Sequence, residues 1–283
     1  MVLQSREFAF AIVCLAVGLS AGCDRGSRSN LSAVDDDRLT VGVSNSYLAA
    51  IATDLSDRVK IVPLAAPGMC PGHFDLRPSQ IEALGSAKLL LRFDFQTALE
   101  EKLAGRLGTD LTIARVSLPG GMCDPDSYEA ACRQVADAFV ERGIISAERA
   151  EARMADIAAR MTALRAFMKE QVGAARMAGK PVVASVHQET FCRVLGLDVV
   201  ATLTGGDGAR ASALDAAVAA GEQAGVKWII ANRPEGRRMA DFVADRLGAV
   251  VLVFDNFPDS GEPAAFDRLV RSNVRTLVEG AAK

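Results

Sequence analysis

From residue 38 onward, short runs of uninterrupted apolar residues alternate with stretches whose apolar positions recur every three or four residues. The first pattern predicts strands buried on both faces, the second amphipathic helices. In the first part of the chain, strands are expected at "RLTVGVS" (38–44), "VKIVPL" (59–64), "KLLLRF" (88–93) and "LTIARV" (111–116). Helices are expected at 47–55, over "RPSQIEALGSA", where Pro78 suits a first turn, and from about 126 to 142. The alternation returns with strands at "PVVASV" (181–186), "DVVATL" (198–203), "KWIIA" (227–231) and "AVVLVF" (249–254). The intervening helices fall near 189–195, 211–224, 236–247 and 263–280. Strands of this kind separated by helices give a parallel sheet covered on both faces, here twice over.

Between the two series lies a proline-free stretch from Ser146 to Ala178. Met154, Ile157, Met161, Leu164, Met168 and Val172 form one continuous helical stripe along it. Ser146 is placed to cap its start, Glu148 suits the first turn, and Gly179 and Pro181 mark its end. At ~1.5 Å per residue the element is roughly 45–50 Å long. The expected fold class is therefore α/β: an N-terminal lobe (38–145), one long rigid helix (146–179) and a C-terminal lobe (180–283).

The first 37 residues are different. Arg6 precedes the apolar run "FAFAIVCLAVGLSAGC", which is short for a membrane span and closes in small residues, as an export signal does. "GLSAGC" resembles the lipobox of bacterial lipoproteins, which implies a signal peptide over 1–22 and lipidation of Cys23; plain secretion is the alternative. Asp24 then implies retention at the periplasmic face of the inner membrane in a Gram-negative host, with the cell surface as the other lipid-anchored location. Residues 23–37 are polar and aperiodic and read as a flexible tether. Net charge is −3, which offers no electrostatic attraction for nucleic acid. One Trp and two Tyr do not furnish an aromatic-lined sugar cleft.

The chemistry collects after the strands, where open parallel sheets gather ligands. Cys70 and His73 follow the strand at 59–64, Cys123 and Asp124 the strand at 111–116, His187 the strand at 181–186, and Asp255 the strand at 249–254. Both histidines of the chain are among them. Imidazole, thiolate and carboxylate are the donors of Zn²⁺ and related ions. Each residue also has a plainer role open to it: a loop or capping histidine, a turn aspartate, a buried or disulfide-bonded thiol. Cys132 and Cys192 lie inside helical patterns and are expected in the core.

"PGHFDLRPSQIEALGSAKLLL" resembles the segment of the zinc- and manganese-type ABC-transporter solute-binding proteins that carries their first histidine ligand. "SVHQETFCRVLGL" is similar to their third ligand segment, and "RRMADFVADRLGAVVLVFDNF" to their final helix–strand with its terminal aspartate. The resemblance covers nearly all of residues 38–280 and implies a two-lobe carrier that captures a metal ion, zinc foremost, and delivers it to a membrane permease without chemistry of its own. It implies His73, His187 and Asp255 as ligands. Two departures stand out. The family's second histidine belongs at Gly120, in a segment where only Asp124-Pro125 keeps the pattern, and Cys123 is the nearest donor; Cys70 is an addition. On this reading the two thiolates replace the missing imidazole and soften the site, or else they form a disulfide beside it. Asn232 stands where an acidic residue is frequent. Two other functions fit the same scaffold: carriage of a corrinoid, haem or metal chelate, and a cysteine hydrolase using Cys123 and His187.

Overall fold

Eight short strands and nine helices alternate along the described residues of the computed structural model, which are 39–66, 77–103, 110–205 and 210–282. The leader, Cys23, the tether, Cys70 and His73 lie outside them. The first sheet is built from β1 (Leu39–Val43), β2 (Val59–Pro63), β3 (Leu89–Phe93) and β4 (Thr112–Val116), in the order β2-β1-β3-β4 and parallel throughout. The second repeats that order with β5 (Pro181–Ser185), β6 (Asp198–Leu203), β7 (Trp228–Asn232) and β8 (Val250–Phe254), arranged β6-β5-β7-β8. The central strands are the most buried: every residue of β3 is buried, and so are four of five in β5. A parallel sheet needs helices on both faces, and the intervening segments supply them.

The helices are α1 (Ser46–Leu55), α2 (Pro78–Leu84), α3 (Thr97–Leu103), α4 (Pro125–Glu141), α5 (Ala147–Ala174), α6 (Glu189–Val194), α7 (Ala211–Ala224), α8 (Arg238–Leu247) and α9 (Ala265–Ala281). Among these residues, no helix is long and apolar enough to cross a membrane. All six stripe residues of α5 are buried, and Ser146 caps the helix by accepting from the Arg149 N–H. The helix nonetheless stops at Ala174, short of the expected 178. Arg176 takes a left-handed φ of 54°, and the Met177 N–H turns back to Val172 O, burying the Met177 side chain. Nothing in the composition signals such a stop, because left-handed ends are normally read from glycine. Two other elements went unforeseen. Helix α3 shows only Leu99 and Leu103 as buried anchors, too few to establish a period, and a single 3₁₀ turn follows β7 at Arg233–Glu235.

The two lobes are fused along their helices. One apolar cluster runs through both, from Val41, Tyr47 and Phe93 in the first, through the α5 stripe, to Phe254, Phe266 and Leu277 in the second. Phe266 of α9 stacks on Tyr128 of α4, ring centroids 4.0 Å apart, and meets Tyr47 of α1 edge-on at 5.8 Å. A buried ion network crosses the same boundary. Arg160 of α5 donates to Asp54 of α1 and Asp267 of α9, both at 2.7 Å, and Asp54 also accepts from the Tyr128 hydroxyl and the Ala264 N–H, each at 2.8 Å.

Candidate functional site

Strand order determines where a ligand crevice opens. In the second sheet, β5 and β7 are neighbours whose onward connections run to opposite sides, to β6 and to β8. The crevice of such a sheet lies beyond the carboxyl ends of that pair. His187 stands two residues beyond β5, and the 3₁₀ turn Arg233–Glu235 directly beyond β7. The imidazole is well exposed, with its Nε2 3.6 Å from Oε1 of Glu235, whose side chain is 15% exposed. That carboxylate is held on both sides: Oε2 accepts from the Ser185 hydroxyl at 2.5 Å, and Oε1 from the Gly205 N–H at 3.1 Å. Ser185 Oγ also accepts the His187 N–H at 3.2 Å, so one hydroxyl fastens both groups. At Gly205 a Cβ would stand 2.5 Å from the Glu235 Cβ, and only glycine lets the carboxylate seat there.

Behind the imidazole lies a buried amide network. Gln188 donates to Asn232 Oδ1 at 3.1 Å and to Asn256 Oδ1 at 2.7 Å, while Asn256 Nδ2 reaches the His187 carbonyl at 3.4 Å. Asn232 is thus spent inside the lobe, 3% exposed, as the acceptor for Gln188.

The other residues singled out in the sequence are placed differently. Asp255, after the edge strand β8, has Oδ1 2.6 Å from Arg233 Nε. Cys123 is fully buried between the lobes as a free thiol. It donates to the Asp255 carbonyl at 3.2 Å and accepts from Asn273 Nδ2 at 3.6 Å. Burial, aided by the charge of Asp255, raises its pKa far above the ordinary thiol range, so it holds its proton at neutral pH. Through these two contacts its sulfur links the first lobe to the second. Cys70, the other half of the alternative disulfide, lies outside the described residues. Cys132 and Cys192 are fully buried free thiols of the core. Cys70 and His73 lie outside the described residues, among which no group of three or more His, Cys, Asp or Glu forms a metal-holding cluster.

Gly120 explains why a histidine is missing from the loop before α4. Its N–H donates to Ser127 Oγ at 2.6 Å, and a Cβ there would lie 2.4 Å from Asp124 Oδ2 and 2.7 Å from Ser127 Oγ. Asp124 caps α4 through the N–H groups of Asp126 and Ser127, so the space is taken by the cap itself. Gly120→His is accordingly expected to destabilise the fold by about 1–3 kcal/mol, the range of an overpacked site, read as a lower thermal midpoint. An unchanged or raised midpoint would show that the loop has room for a side chain. The same loop touches the second lobe: a Cβ on Gly121 would come within 3.4 Å of Thr190, three residues past His187.

Glu235 is the functional candidate that sequence reasoning passed over. It sits in a polar turn with no period, and its partner His187 is 48 positions away, so only the adjacency of β5 and β7 brings them together. The available signal was its position just after a strand, the criterion that selected the others.

The architecture has clear relatives among solved structures. "Crystal structure of ZnuA" superposes with a TM-score of 0.72 at 14% identity, over 87% of this chain and 100% of that one. FpvC from Pseudomonas aeruginosa, in complex with Mn²⁺, gives 0.71 at 16% identity, over 87% and 98%. A Mn-bound periplasmic metal-binding protein from Candidatus Liberibacter asiaticus gives 0.72 at 16%, over 86% and 100%. No curated protein matches the chain in sequence. The model of the family ZnuA, "Zinc-uptake complex component A periplasmic", matches residues 41–280, nearly the whole two-lobe body with its His187 crevice, and the chain belongs to that family.

Proposed function

We propose that this protein is the extracytoplasmic solute-binding component of a metal-ion ABC transporter, which captures a divalent ion, zinc foremost, between its lobes and passes it to a membrane permease. The metal is cargo, and no catalytic role is assigned to the chain. The observation that carries the reading is the exposed imidazole of His187 at the switch point of the second sheet, within 3.6 Å of a fixed carboxylate, in a chain of the zinc-uptake family. His73, and Cys70 beside it, are the proposed donors from the first lobe. The second lobe's donors, His187 with Glu235 or Asp255, are nitrogen and oxygen, a set suited to Zn²⁺ and also to Mn²⁺ or Ni²⁺. The solved relatives support that range, FpvC having been captured with Mn²⁺ and with Ni²⁺. Lipidation at Cys23 and the 23–37 tether would keep the carrier at the outer surface of the membrane that holds the permease.

The shared core and the Arg160 network support a small rocking of the lobes around the ion rather than a wide hinge. Titration of the mature protein with Zn²⁺ under competition from a chelator tests the function. His187→Ala is expected to bind more than about 100-fold less tightly, since even a partner outside the coordination sphere is worth ~10–100-fold. Equal affinity in the variant, or no binding by the parent, would overturn the proposal.

A further inference from the structure

Building on that reading, we propose that Glu235 is the carboxylate that takes the metal ion together with His187, and that Arg233 draws Asp255 away from that role. The turn after β7 is the source of both effects. It carries an arginine and a glutamate two residues apart, and its strand lies between β5 and β8. Arg233 reaches the β8 side and pairs with Asp255 at 2.6 Å. Glu235 reaches the β5 side and faces His187.

Three features make Glu235 a ligand rather than a turn residue. The first is spacing. Oε1 and Nε2 are 3.6 Å apart, too far for a hydrogen bond. Two donors each ~2.0–2.1 Å from a tetrahedral Zn²⁺ stand about 3.3–3.4 Å apart, so the gap is close to that of a ligand pair. The second is support. Ser185 and the Gly205 N–H fix the carboxylate, while its oxygens, with about four lone-pair positions between them, keep capacity for a cation. Held ligands of this kind lose little entropy when the ion arrives. The third is place: Glu235 and His187 flank the switch-point crevice, whereas Asp255 stands one strand outward, with its charge already met by a guanidinium.

The test compares Glu235→Gln, Asp255→Asn and His187→Ala in the full chain, by Zn²⁺ titration and by the visible absorption of the Co²⁺-loaded protein. Glu235→Gln keeps the shape and one acceptor for Ser185. It is expected to lose more than about tenfold in affinity, above the lower bound for an outer-sphere partner, to lose more than Asp255→Asn does, and to change the Co²⁺ spectrum. Its metal-free far-UV circular dichroism is expected to match the parent's, with a slightly lower thermal midpoint because the Gly205 N–H loses its acceptor. If Glu235→Gln does not fold, Ser185→Ala serves in its place: it frees the carboxylate from its anchor and is expected to weaken binding while leaving a carboxylate in the Co²⁺ spectrum. Parent-like affinity and spectrum in Glu235→Gln, with binding lost in His187→Ala, overturn the assignment of Glu235 and leave the transport function standing. A greater loss in Asp255→Asn than in Glu235→Gln does the same. Parent-like binding by His187→Ala removes the function and this inference together.

Discussion

Arg160→Ala is expected to lower the free energy of unfolding by about 3–5 kcal/mol, the cost of removing one partner from a buried ion pair. The reason lies in what Arg160 leaves behind. Asp54 has no side-chain exposure and Asp267 only 15%, and the guanidinium is the cation that meets both. Burial by itself would lower the arginine's pKa, but its hydrogen bonds to Asp54 and Asp267 outweigh that and raise it, so the charge is secure. Without it, two carboxylates face one another across the junction of α1, α5 and α9, with Tyr128 and the Ala264 N–H as the remaining donors to Asp54. Urea unfolding of the metal-free protein checks the value, and a loss under about 1 kcal/mol, the scale of an exposed pair, would show that the network contributes no more than a surface contact. The double variant Asp54→Asn/Arg160→Met is expected to recover part of the loss, because it removes the stranded charge along with its partner.

Phe266→Ala is expected to cost a similar ~3–5 kcal/mol, the range for removing a buried aromatic ring. Phe266 is fully buried and lies on the first lobe's aromatic cluster, stacked on Tyr128 and edge-on to Tyr47, although it belongs to a helix of the second lobe. The ring therefore contributes both apolar burial and the interaction between aromatic faces and edges. Equilibrium unfolding followed by far-UV circular dichroism measures the cost. Phe266→Leu, which keeps most of the volume, is expected to lose distinctly less; equal losses in the two variants would mean that ring stacking, not filled space, dominates. Because both residues tie the lobes together, their variants are also expected to unfold the lobes less cooperatively, seen as a smaller dependence of unfolding free energy on urea.

These two sites tie the lobes together along their helices. The proposed ligands lie at the carboxyl ends of the strands, while the aromatic and ionic ties hold the lobes at their helices. A rocking motion about those ties would move the proposed ligands by small distances and leave the core packed.

Much of the molecule follows from the chain alone. Uninterrupted apolar runs such as Trp228–Ala231 have no polar face to offer solvent, so they become central parallel strands. The three- and four-residue spacing from Met154 to Val172 makes one helix and names the face it buries. Local order along the chain also puts His187 and Asp255 after their strands. Tertiary structure decided what those positions are paired with. Glu235 faces His187 across 48 residues because β5 and β7 are neighbours, and Arg233 claims Asp255 because β7 and β8 are. Cys123 became a buried neutral thiol because a lobe 132 positions away supplied its acceptor carbonyl. Arg160 found Asp54 and Asp267 at separations of 106 and 107 residues. Periodicity reports which face of an element is apolar, a property of neighbours in sequence. The partner of a polar side chain depends on strand order and helix packing, which bring distant residues within hydrogen-bonding range and leave no repeating mark along the chain.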